Sequence, residues 1–179
     1  MTNKPMVTIE DVIERLDRLD ILCEMHQIKV NLVLLGGAGM IVAMELNGRS
    51  FRPTLDIDVQ LLSSNNRNEL EKILEELSID EITGIVDFPP PEDFEEGDKI
   101  EIESDFTAIT VYVPQIELLA CTKIFSKRQK DLADLVNSSV LDLCDLKKLR
   151  KMIKEYKSYL SNPDDPNLNL NHLKERLEG

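Results

Sequence analysis

The spacing of apolar residues changes several times along the chain, and each change marks an element. Behind Thr8, which can cap a helix, Ile9, Val12, Ile13, Leu16, Leu19, Leu22 and Met25 recur every three or four residues and predict an amphipathic helix. Residues 30–35 form a short apolar run bounded by glycines and read as a buried strand, turned by Gly36-Gly37. Residues 38–46 read as a helix stopped at Asn47-Gly48. Residues 55–62 alternate Asp56, Asp58 and Gln60 with Ile57, Val59 and Leu61, which is strand periodicity. Ser64 or a following Asn then caps a helix reaching residue 77.

Residues 84–88 look like a third strand. The prolines at 89–91 break it, and an acidic loop is expected over 92–98. Two further strands, over 99–104 and 107–113, suit a hairpin. After Pro114 the pattern turns helical, with helices expected over 115–125, 130–137 and 142–159. From Ser161 the chain is rich in Asn, Asp and Pro, with a last turn at 172–177. This order predicts an α/β (α+β) fold, a mixed sheet flanked by helices. The expected division is a core with its N-terminal helix (1–113), a helical C-terminal part packed on it (114–160) and a polar tail (161–179).

Length and composition narrow the function. At 179 residues the chain can bury a core without disulfides or metals. Cys23, Cys121 and Cys144 match no metal spacing, and three cannot all pair, so they read as buried thiols of a reducing compartment. The start, Met1-Thr2-Asn3-Lys4-Pro5, has no apolar segment and no stretch reaches membrane-spanning length, so a cytoplasmic protein is expected. The two histidines form no ligand cluster, and no Walker-type loop occurs. With no Trp and few other aromatics, a base-stacking platform is not expected. A net charge of −13 argues against a general nucleic-acid coat protein. The charge is uneven, however: residues 123–157 hold ten Lys/Arg against five Asp/Glu. That span is either a solvated basic face or a local landing surface for a polyanion.

The chemistry concentrates between residues 36 and 58. On a strand, residues two apart point the same way, so Asp56 and Asp58 are expected to share a face. Adjacent carboxylates repel unless a cation sits between them, and hard oxygen donors suit Mg²⁺ together with substrate phosphates. Gly36 and Gly37 end a strand and open a helix, which aims backbone N–H groups at an anion. Arg49, Arg52 and Thr54 lie just upstream of the carboxylates and can contact phosphates. In this order the parts can clamp a nucleoside triphosphate.

This order resembles the nucleotidyltransferase superfold, whose signature is a strand, a Gly-Gly or Gly-Ser turn, a helix and an Asp-x-Asp strand. Leu34-Leu35-Gly36-Gly37-Ala38-Gly39 with Arg52-Pro53-Thr54-Leu55-Asp56-Ile57-Asp58-Val59 is similar to the AbiEii and MenT-type branch, bacterial toxins and abortive-infection proteins. Downstream, Leu118-Leu119-Ala120-Cys121-Thr122-Lys123 and Arg128-Gln129-Lys130-Asp131-Leu132-Ala133-Asp134-Leu135 resemble a second motif of that branch. The resemblance implies that Lys123 faces the nucleotide phosphates and that Asp131 supports the site. It also implies Mg²⁺-dependent transfer of a nucleoside monophosphate to an acceptor hydroxyl, with transfer RNA or a partner protein as acceptor, in toxin–antitoxin or phage-defence systems. Ala38 departs from the Ser or Thr common after the glycine pair. A third metal carboxylate is expected from Glu101, Glu103 or Asp87, and the sequence does not choose among them. Two other readings stay open: a non-catalytic binding or antitoxin module, and an antibiotic nucleotidyltransferase.

Overall fold

The computed structural model describes residues 4–82 and 89–178. The chain forms two compact units, one of Met1–Thr83 and Phe94–Gln115, the other of Gly84–Asp93 and Ile116–Gly179.

The first unit is a five-stranded mixed sheet with helices. It begins with α1 (Ile9–Met25), started by a capping box in which the Thr8 hydroxyl accepts from the Asp11 amide and the Asp11 carboxylate accepts from the Thr8 amide. Val12, Leu16, Leu19 and Cys23 form its buried stripe, while Met25, which the apolar spacing places inside, is exposed. Strand β1 (Val30–Leu35) runs directly into α2 (Gly36–Leu46). Seven consecutive residues of α2, Ala38 to Met44, are buried, as their all-round apolar character requires. Then come β2 (Ile57–Ser64), α3 (Arg67–Glu76, capped by the Asn66 side chain) and β3 (Ile79–Glu81). After α4 (Pro91–Glu96), β4 (Lys99–Glu101) and β5 (Ile109–Pro114) complete the sheet in the order β3-β2-β1-β5-β4. β1 pairs antiparallel with β2 and parallel with β5.

A buried carboxylate ties α1 to this sheet. Asp20 accepts hydrogen bonds from the amides of Thr107, Ala108 and Ile109, at 2.8–3.2 Å, where β5 begins. The amides of Ala108 and Ile109 are buried donors, which need such an acceptor.

The mixed sheet flanked by helices agrees with the fold class expected from the sequence. Several boundaries differ, each for a reason outside the local pattern. β2 starts at Ile57, not at 55, because its partner β1 ends at Leu35, opposite Asp58. The strand next to β2 is β3, a three-residue segment too short to show periodicity. The strand expected over 84–88, with Asp87, lies outside the described residues. The expected acidic loop contains α4, which opens on Pro91 with Glu92 and Asp93 in its first turn and buries Phe94.

The second unit is helical. Its central helix is α5 (Ile116–Ile124), in contact with α6 (Gln129–Asn137), α7 (Val140–Leu143), α8 (Leu146–Lys157) and α9 (Asn169–His172); α10 (Lys174–Glu178) follows. The helix expected over 142–159 is two helices. Asp145 breaks them: its side chain accepts from the Lys148 amide to cap α8, and its own amide donates to the buried Glu117 carboxylate. The stretch after Ser161 folds back, with Leu168, Leu170, Leu173 and Leu177 all buried. Leu170, Leu173 and Leu177 stand at helical three- and four-residue spacing, so the fold-back begins before the last turn expected at 172–177.

Candidate functional site

In the first unit, the junction of β1 and α2 meets the start of β2. Gly36 has φ +56°, the left-handed region that a side chain disfavours. Space makes the same demand: a Cβ on Gly36 would sit 2.3 Å from an Asp58 carboxylate oxygen. The Asp58 carboxylate therefore lies on the backbone of Gly36. A Cβ on Gly37 would meet Thr54, 2.7 Å from its Oγ1 and 2.8 Å from its Cβ. Two glycines are thus required by two different neighbours, and the chain brings Gly36, Gly37, Thr54 and Asp58 into one corner.

That corner is also the start of a helix. No side chain caps α2 at Leu35, so the amides of its first turn have no acceptor within the helix. Asp58 is half-buried at the second position of β2, and Asp56, one residue before the strand, is exposed. Asp56 has no ladder partner in β1, so strand alternation does not fix its direction as the sequence pattern implies. Thr54 is held otherwise, through an isolated bridge in which Met6 and Thr54 exchange backbone hydrogen bonds of 2.7 and 3.0 Å. The Arg52 guanidinium lies 5.1 Å over the Phe51 ring, and Ala38 is fully buried in α2.

The register places a further carboxylate that local sequence does not suggest. Asp80 of β3 pairs with Asp58, on the same face of the sheet, and is exposed. Only the long-range pairing of β3 with β2 reveals it. Glu101 sits on β4, three strands from β2, about 14 Å at ordinary strand spacing. Glu103 lies beyond the end of β4 and is exposed. Among the described residues no group of three or more His, Cys, Asp or Glu could hold a metal ion. The geometry places one carboxylate at the corner, Asp58, with Asp56 two residues before it; such a pair would fit Mg²⁺ only with phosphate and water oxygens completing its shell.

In the second unit, Lys123 and Asp131 also meet. The Lys123 ammonium donates to Asp131 at 3.2 Å and to Asp134 at 2.8 Å, and the Lys123 side chain is 5% exposed. Ser126 donates its hydroxyl to the other Asp131 oxygen at 2.6 Å. Asn169, 1% exposed, donates its side-chain amide to the carbonyls of Lys123 and Arg128. Asp134 and Asn169 are partners that sequence reasoning missed; the first stands three residues from Asp131 in the same motif, and the second has no local signal. The cysteines offer no nucleophile: burial pushes the Cys23 thiol up to about 11 and Cys144 up to about 12, and raises Cys121 further.

Among the described residues no helix is long and apolar enough to cross a membrane. No curated protein and no solved structure matches the chain significantly. One family model does, over residues 9–176, nearly the whole chain, and its description is "Nucleotidyltransferase of unknown function (DUF6036)". The chain belongs to that family of nucleotidyltransferases of unknown function.

Proposed function

We propose that this protein moves a nucleoside monophosphate from a nucleoside triphosphate to an acceptor hydroxyl, as in the AbiEii and MenT-type branch that its motifs resemble. The observation that carries the reading is the corner itself: a left-handed glycine with the Asp58 carboxylate on its backbone, at the start of α2, where the N-cap residue Leu35 supplies no side-chain cap. Such a corner offers amide donors to a triphosphate beside a carboxylate that needs a cation when phosphates arrive. Asp56 and Asp58 would hold Mg²⁺, which when bound neutralises phosphate charge and sharpens the attacking oxygen. The amides of Gly36 and Gly37 orient the triphosphate, and Thr54 fixes Gly37 while presenting a hydroxyl. Arg52 neutralises charge as pyrophosphate leaves. Lys123 and Asp131, which the resemblance would assign to the phosphates, are engaged with each other and with Asp134 in the second unit and have no part in this reading.

The acceptor in this proposal is an RNA, with transfer RNA as the example set by the resemblance. Its support is α8, where Lys147, Arg150, Lys151 and Lys154 are exposed along one stripe and Leu149 and Tyr156 are buried on the other side. Lys147, Lys151 and Lys154 have no acidic partner among the described residues, in a chain of net charge −13. A second reading, a nucleotide-binding module without transfer, is favoured by Ala38 and by the lack of a three-acid group among the described residues.

The test is incubation with each labelled triphosphate, Mg²⁺ and either total RNA or cell lysate. Label in RNA supports the first reading. Nucleotide binding without label in any molecule supports the second, and neither binding nor label overturns both.

A further inference from the structure

The segment 51–56 leads into the candidate site, yet the sheet does not hold it. β2 begins at Ile57, and β1 has already become α2 at Gly36. What holds the segment comes from the other end of the unit. Met6 and Thr54 form the isolated bridge, and the Met6 side chain is 1% exposed. Arg15, on α1, spans the pair: its Nη1 donates to the Leu55 carbonyl at 3.1 Å and its Nη2 to the Lys4 carbonyl at 2.9 Å. The entry to α1 is fixed in turn. Asp11 accepts from the amides of Val7 and Thr8, and Glu45, near the end of α2, accepts from the amide of Ile9.

We infer that residues 4–8 and Arg15 form a strap that positions the Thr54–Asp56 end of the site, with Arg15 as its positioning residue. The inference rests on the nucleotidyltransferase reading for its functional consequence. Arg15 acts through the Leu55 carbonyl, one residue before Asp56. Its planar fork reaches two carbonyls on two segments at once, which an ammonium cannot copy. Thr54, bridged to the strap, is the residue against which the Gly37 backbone rests. Strap, Thr54 and Gly37 therefore form one continuous support, and the exposed Asp56 depends on it for direction.

Two measurements test the strap on the full chain. The first is amide hydrogen exchange in Arg15→Ala. Exchange at residues 54–57 is expected to rise at least about tenfold, for the loss of a charge-assisted hydrogen bond, while the amides of β1 and β5 keep their protection. Unchanged exchange at 54–57 overturns the strap whatever the protein does with nucleotides. The second is Mg²⁺-dependent nucleoside triphosphate affinity in Arg15→Ala, Asp56→Asn and the double variant. Arg15→Ala is expected to weaken affinity roughly tenfold, Arg15→Lys to recover part of it, and Arg15→Ala to add nothing once Asp56 is Asn. Full additivity with Asp56→Asn, or unchanged affinity in a folded Arg15→Ala, overturns the positioning role. If the wild-type chain binds no triphosphate, the proposed function fails, and the exchange result alone decides whether the strap stands.

Discussion

Two acidic sites of this molecule use carboxylates in opposite ways. In the second unit, Asp131 and Asp134 close on one buried ammonium, and Ser126 donates its hydroxyl to the other Asp131 oxygen. In the first unit, Asp58 is pressed on a glycine backbone, Asp56 is exposed, and Asp80 stands beside Asp58 in the register. The second-unit group closes two carboxylates on one buried ammonium; the first-unit group brings carboxylates of differing burial to the sheet end beside a helix start. Two carboxylates buried as deeply as in the second unit would be costly without that ammonium, whereas in the first unit Asp56 and Asp80 are exposed and keep their hydration. The same residue type is thus held within one chain in two ways, closed on a buried cation or standing at an exposed sheet end, and burial of the partner rather than residue type separates them.

The comparison can be broken by substitution, and the largest effect on stability is expected in the second unit. Lys123→Met removes the ammonium and leaves two carboxylates buried together, so a loss of about 3–5 kcal/mol is expected in urea denaturation. Adding Asp131→Asn and Asp134→Asn should return part of that loss, because the stranded charges go with it. A loss below about 1 kcal/mol would show that the cluster is wetter than its burial implies. Gly36→Ala comes next. Positive φ and the collision with Asp58 together should cost roughly 1–3 kcal/mol and at least a tenfold loss of Mg²⁺-dependent nucleotide affinity. An alanine variant with wild-type affinity would mean that the corner relaxes and its geometry does not matter. The charge reversals Lys147→Glu, Lys151→Glu and Lys154→Glu on α8 should move stability by only about 0.5 kcal/mol. Their signature is elsewhere: the log–log salt slope of RNA binding should fall by roughly one for each phosphate that is no longer neutralised. An unchanged slope removes α8 as the RNA surface.

Local pattern made much of the first unit legible. Thr8 as a cap, the 3.6-residue stripe of α1, the apolar run before the glycine pair and the alternation around Asp58 each follow from short-range chemistry. The meeting of Gly36 and Asp58 needs the antiparallel pairing of β1 with β2, a common but not obligatory arrangement of consecutive strands. What depends on distant residues was hidden. The start of β2 is set by where β1 ends, Thr54 is fixed by Met6, and Asp80 is brought in by three residues of β3. In the second unit Asn169 reaches the end of α5 across 46 residues of chain. Hydrogen bonds of that span leave no trace in a window of ten or fifteen residues.

The most direct test of the central claim is calorimetric titration of nucleoside triphosphates into the wild-type chain and Asp58→Asn, each with and without Mg²⁺. The account expects binding by the wild type only when Mg²⁺ is present, and a loss of roughly a hundredfold or more in Asp58→Asn with stability within about 1 kcal/mol of wild type. Equal affinity in the two proteins, or wild-type binding indifferent to Mg²⁺, would contradict it.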